Sequence, residues 1–137
     1  MTLPTSSGVA KKLFTPQKAN QALPLVKGIV EDILNAGQEI RALASKIGAN
    51  AEKDPEVRRL MEQLEGYFDE IESIGCSYRD WNFSMGLIDF PAVIDKKEVF
   101  LCWRSDEKEL KFYHEPETGF AGRKPIPDEY MTEENSK

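Results

Sequence analysis

From Val26 onward, apolar residues return along the chain at alternating intervals of three and four: Val26, Ile29, Ile33, Ala36, Ile40, Leu43 and Ile47. That spacing is a heptad seam, the mark of a helical face that packs on another helix. Upstream, Thr15-Pro16 reads as an N-cap followed by proline at the first helical position, where the missing N–H does no harm. Gly48 ends the run as a C-terminal cap. Pro24 lies inside it and predicts a kink or a restart. A second seam, Val57, Leu60, Leu64, Tyr67, Ile71 and Ile74, follows the cap-plus-proline signal Asp54-Pro55 and stops at Gly75. The polar link between the seams is short, so the two helices are antiparallel neighbours. At 1.5 Å per residue they run roughly 35 and 30 Å.

After Gly75 the pattern becomes that of strands. "GLIDFPAVI", "KEVFLCWR" and "ELKFYHE" are short, rich in β-branched and aromatic residues, and separated by polar turns at Asp95-Lys96 and Ser105–Lys108. "CSYRDWNF" before them reads as a further strand or an extended lead-in. Pro91 cannot donate to a ladder, so its strand is an edge or ends there. The predicted fold class is α+β: a long antiparallel helical hairpin (15–75), then a small antiparallel β-meander (76–126) packed at one end. Together they make a single domain over 14–126, between a flexible N-terminus (1–13) and a flexible acidic tail (127–137). Val30, Leu34, Met61 and Phe68 widen the two seams beyond what a hairpin alone can hide, which predicts a homodimer through the hairpin.

A four-residue turn at Ser105–Lys108 would place Trp103 opposite Leu110, Leu101 opposite Phe112 and Val99 opposite His114. That register gathers the most apolar set on one face and sends Cys102 and His114 to opposite sides.

Composition narrows the partners. The chain has 137 residues, of which 40% are hydrophobic and 31% charged, and its net charge is −6. Its few basic pairs form no stripe, so nucleic acid is not an expected partner. No apolar run is long enough for a membrane span and no signal core opens the chain, so the expected setting is the cytoplasm. Cys76 and Cys102 are accordingly read as reduced thiols.

The chemistry-bearing residues concentrate in "EVFLCWRSDEKELKFYHEPETGFAGRKPI". It holds the chain's one histidine, and no C-x-x-C or H-x-x-x-H spacing occurs, so neither a metal nor a cofactor is expected. His114 reads either as an imidazole at the rim of an apolar face or as a proton carrier in a pocket floored by Trp103, with Glu115 or Asp89 nearby. In "ETGFAGRKPIP" two glycines flank Phe120, and Arg123 either pairs with a carboxylate or grips an anionic ligand. Asp80 and Asp89 are the acids expected to be partly buried.

"FTPQKANQALP", "GLIDFP", "LCW" and "FYHEPETGFAGRKPI", in that order, resemble the bacterial and archaeal family called domain of unknown function 2203. The likeness spans roughly 13–126 and implies no activity. Two turns depart from the family pattern, at Asp95-Lys96-Lys97 and at Ser105–Lys108. Asn20, Asp89, Trp103, His114, Gly119, Gly122 and Arg123 all fall inside the shared blocks. Asn20, Asp89, Trp103, His114 and Arg123 are therefore the candidate ligand-binding set, forming either one pocket at the helix–sheet junction or a polar lock near Pro24. With no recognisable catalytic set, the favoured function is a non-enzymatic, dimeric protein-interaction module. The alternative is a protein, binding or catalytic, with a pocket for a small anion or metabolite.

Overall fold

The computed structural model describes residues 12–80 and 82–131. Helix α1 spans Pro16–Ile47 and α2 spans Pro55–Ile74, joined through a short 3-10 turn at Ala51–Lys53. Both caps form as their sequences require. Thr15 Oγ1 accepts from the Lys18 N–H at 3.1 Å, and the Asp54 carboxylate accepts from the N–H groups of Glu56 and Val57. Gly75 closes α2 in the left-handed conformation at φ 110°, which a side chain would disfavour. No restart occurs at Pro24: α1 is one helix through it. Pro24 is exposed, so the Asn20 carbonyl that loses its helical donor there can be hydrated.

The sheet has five antiparallel strands in sequential order: β1 (Ser77–Tyr78), β2 (Leu87–Ile94), β3 (Lys97–Arg104), β4 (Phe112–His114) and β5 (Lys124–Pro125). The β2–β3 connection is the two-residue turn Asp95-Lys96, with both residues at positive φ, 54° and 66°. Such a turn matches strand twist and fixes Asp89 opposite Cys102. Pro91 lies beyond the end of β1, and its carbonyl accepts from the Phe14 N–H at 2.7 Å. That stretch of β2 is bordered by the parallel Phe14–Ala92 bridge, in which Pro91 serves through its carbonyl and its missing N–H is not called on.

One sheet face packs on the hairpin. Ile88, Phe90, Val99, Leu101 and Trp103 from the strands join Val26, Val30 and Ile33 of α1 and Ile71 of α2 in a continuous core. The loop before β2 folds back onto α1, where a β-carbon on Gly37 would lie 2.3 Å from the Phe83 ring. Of the four residues that widen the seams, Val30 is buried, and Leu34 and Phe68 pack against the core of the same chain. Met61 remains exposed. A short helix, α3 (Asp128–Met131), docks on the body, with Tyr130 Oη donating to Asp95 and the Tyr130 carbonyl accepting from Gln17. The flexible ends expected from the sequence otherwise lie in 1–11 and 132–137, outside the described residues, as does Trp81.

The β3–β4 register differs from the one expected. Phe100 faces His114, Leu101 faces Tyr113 and Cys102 faces Phe112, a slip of one residue. Asn20 supplies the reason. Its Oδ1 accepts from the Leu110 N–H at 2.8 Å, and its Nδ2 donates to the Leu110 carbonyl at 3.2 Å. The Leu110 N–H therefore has no proton left for Trp103, and its carbonyl is turned to α1. At the other side of the turn, the Arg104 N–H donates to the Glu107 carboxylate at 2.9 Å. Asn20→Ala is expected to destabilise the fold by about 1–3 kcal/mol, because it strands the buried backbone groups of Leu110. Urea denaturation checks this, and unchanged stability would remove Asn20 as the register clamp.

Candidate functional site

The slipped register reverses the expected separation of Cys102 and His114. Side chains alternate along strands, so Asp89, Cys102, Phe100, Phe112 and His114 all project from the sheet face that turns away from the helices. Asp89 and Cys102 are direct cross-strand partners, and His114 is diagonal to Cys102. Each comes from a different strand: β2, β3 and β4. All three are buried, at 4%, 1% and 4% exposure, although they lie on the face opposite the core. They floor a half-open cavity of about 320 Å³. Leu87 and Phe100 line its wall, and Arg79, Pro116 and Phe120 border it.

The contacts of His114 are unusual for an imidazole. Nδ1 lies 2.8 Å from the Glu115 carbonyl, and Nε2 lies 3.1 Å from each oxygen of Asp89. A carbonyl and a carboxylate only accept. Both contacts are hydrogen bonds only when each ring nitrogen carries a proton. Asp89 also accepts from Arg79 Nε at 3.1 Å, and the Arg79 guanidinium lies 5.5 Å from the Phe100 ring centroid. The group thus sets one carboxylate against a guanidinium and an imidazole. Among the described residues, the metal-type ligands that cluster are Asp89, Cys102 and His114, whose ligand atoms all lie within 4.8 Å of one another.

The five sequence candidates do not converge on one place. Asp89 and His114 meet directly. Trp103 is on the helix-facing side of the sheet, buried, with its indole N–H donating to the Glu107 carbonyl at 2.9 Å. Asn20 serves the Leu110 clamp. Arg123 lies beside the site, with its guanidinium 4.2 Å from the Phe112 ring centroid and 4.8 Å from that of Phe120. Nη2 of Arg123 donates to both carboxylate oxygens of Glu107, at 2.9 and 2.7 Å, within a pair whose side chains are 12% and 18% exposed. Arg123 is thus engaged as a lock under the Phe120 loop. Asp80 accepts from the N–H groups of Asn82, Ser84 and Met85 and organises the loop before β2. Cys102 and Arg79 are the site residues absent from the sequence-derived set. A two-residue turn at Asp95-Lys96 is the signal that pairs Asp89 with Cys102.

Burial pushes the Cys102 thiol up to about 12, with the Asp89 charge adding to the effect. Burial likewise raises Cys76 to about 12. At pH 8 these shifts leave on the order of a thousandfold fewer thiolates than in an unfolded chain. Native protein in a chelator-containing buffer is therefore expected to resist iodoacetamide, while urea-unfolded protein labels readily at both cysteines, as read by mass spectrometry. The raised folded values favour the neutral thiols. Their contribution to stability is full below the unfolded value of about 8.5 and is lost as pH climbs toward about 12. Rapid native labelling of Cys102 would contradict this.

No curated protein and no solved structure matches the chain. The model of the family described as "Uncharacterized conserved protein (DUF2203)" matches residues 12–126, and the chain belongs to that family.

Proposed function

We propose that this protein binds a small anionic ligand in the cavity above His114 and Asp89. The observation that carries the reading is the charge at that cavity. Among the described residues that line it Asp89 is the one acid, and that carboxylate is already engaged by the Arg79 guanidinium and the His114 imidazole. The cavity volume, about 320 Å³, sits at the small end of ligand pockets. Arg79 is 48% exposed and gives Asp89 its Nε, which leaves the outer end of the guanidinium to meet a ligand. Nε2 of His114 is directed at Asp89, so the arrangement favours binding over proton transfer. Two free, buried thiols support a reducing, cytoplasmic setting.

The experiment uses the chain's single histidine, whose ring protons give isolated NMR signals. Phosphate, sulfate and dicarboxylates are titrated at millimolar concentration. The expected result is a saturable shift of the His114 signals with at least one of them. Arg79→Ala should weaken that binding about tenfold, a loss of about 1.4 kcal/mol. It should barely move the melting temperature, because an ion pair with one half-exposed partner adds little stability. Signals indifferent to every anion would refute the reading.

A second reading, self-association through the hairpin, has Ile47 and Met61 in its favour, both large apolar residues left exposed on α1 and α2. Light scattering at micromolar concentration tests it: a dimer mass is expected, and a monomer overturns it.

A further inference from the structure

Asp89, Cys102 and His114 offer a carboxylate, a thiol and an imidazole from three adjacent strands, all buried and all facing one cavity. We propose that they bind a zinc-class divalent cation, with its fourth coordination position open to the cavity. The proposal builds on the anion-site reading above by naming the cation that would hold such a ligand.

The carrying observation is the orientation of His114. Nδ1–H donates to the Glu115 carbonyl at 2.8 Å, so the lone pair of a neutral ring is at Nε2. That lone pair points at a carboxylate 3.1 Å away. Two acceptors aimed at each other need a positive centre between them: a proton or a metal ion. A backbone carbonyl on the far nitrogen is also how proteins orient a metal-binding imidazole. Tetrahedral zinc bonds of about 2.0–2.3 Å imply ligand-to-ligand separations of about 3.3–3.8 Å. The Nε2–carboxylate distance of 3.1 Å is close to this, and the cluster's outer limit of 4.8 Å asks for a contraction of about 1 Å.

The third ligand decides between the two centres. A proton needs only Asp89 and His114. The Cys102 sulfur lies directly across from Asp89, where as a thiol it is a hydrogen-bond neighbour of that carboxylate and as a thiolate it adds the soft third donor that a metal ion takes up. Mixed N, S and O donors with three protein ligands and one open position suit zinc. Metal entry displaces the Nε2 proton and the thiol proton to solvent. Asp89 and the Cys102 thiolate then match the charge of the divalent ion, and Arg79 is left to face an anion at the open position.

The test is a Co²⁺ titration of the chelator-stripped full chain, followed by absorption. One equivalent per chain is expected, with a thiolate-to-cobalt charge-transfer band, intense visible bands of four-coordination, and displacement by Zn²⁺. Cys76→Ser should keep the charge-transfer band, since Cys76 is buried beside Ile71 at the end of α2. Cys102→Ser should lose it, and Asp89→Asn should weaken binding at least tenfold. No charge-transfer band in the native chain, or a band lost in Cys76→Ser, overturns the proposal even where a Cys102 variant fails to fold. Phosphate is then added to the stripped and the cobalt-loaded protein. If phosphate shifts His114 in a chain that takes up no cobalt, the metal falls and the anion site stands. A cobalt spectrum that phosphate leaves unchanged, alongside an indifferent stripped protein, keeps the metal and removes the anion. Silence in both removes both.

Discussion

The side-chain amide of Asn20 holds both backbone groups of Leu110, a residue 90 positions away in sequence. An amide is the side chain best suited to this, because it offers a donor and an acceptor side by side, as a neighbouring strand would. The clamp takes Leu110 out of the β3–β4 ladder, and pairing begins at Phe112. Strand alternation then leaves no freedom. Cys102, Phe112 and His114 share a face, and Asp89 joins them across the β2–β3 turn. A shift of one residue would carry the imidazole to the helix side, among Leu101 and Trp103 and away from Asp89.

This dependence explains what the sequence reveals and what it hides. The hairpin is legible because both seams are local and periodic, and each helix announces its ends with Thr15-Pro16, Gly48, Asp54-Pro55 and Gly75. The β2–β3 pairing is legible in principle too, from the short turn at Asp95-Lys96. The β3–β4 register is not. Turn length and apolar content both favour Leu110 opposite Trp103, and the group that overrules them sits on the first helix. Arg79 is hidden for a related reason: its partner Asp89 is reached across a strand pair, Ser77 opposite Asp89, that no pattern marks. The docking of α3 through Tyr130 escapes the sequence because one hydroxyl bonded to Asp95 outweighs an otherwise polar, acidic composition.

The two faces of the sheet meet different physical demands. The helix side is an apolar interior, closed by Phe90, Leu101 and Trp103. The other side buries an acid, an imidazole and a thiol, and burial of such groups is costly unless each finds a partner. Asp89 finds His114 and Arg79, and His114 finds the Glu115 carbonyl. Cys102 avoids the cost by remaining a neutral thiol, held so by the burial that raises its pKa to about 12. The face is sealed in part by the Phe120 loop, which Arg123 fastens from below.

Arg123 and Arg79 show why a guanidinium near a cavity is not by itself a ligand site. Arg123 lies against two aromatic rings and is paired at both carboxylate oxygens of Glu107, in surroundings that exclude most water. Handing it to a ligand would leave Glu107 buried without its counter-ion, at a cost of about 3–5 kcal/mol. Few small anions return that much from one contact. Arg79 pays far less, because its side chain is already half in solvent and its bond to Asp89 is through one nitrogen. It can keep that bond and still turn its terminal nitrogens to a guest. The same comparison separates the histidine from the tryptophan: His114 borders the cavity, whereas Trp103 spends its only donor on the Glu107 carbonyl and belongs to the core. A guest in this cavity would therefore meet the Asp89–His114–Arg79 group, with the Arg123 lock beside it.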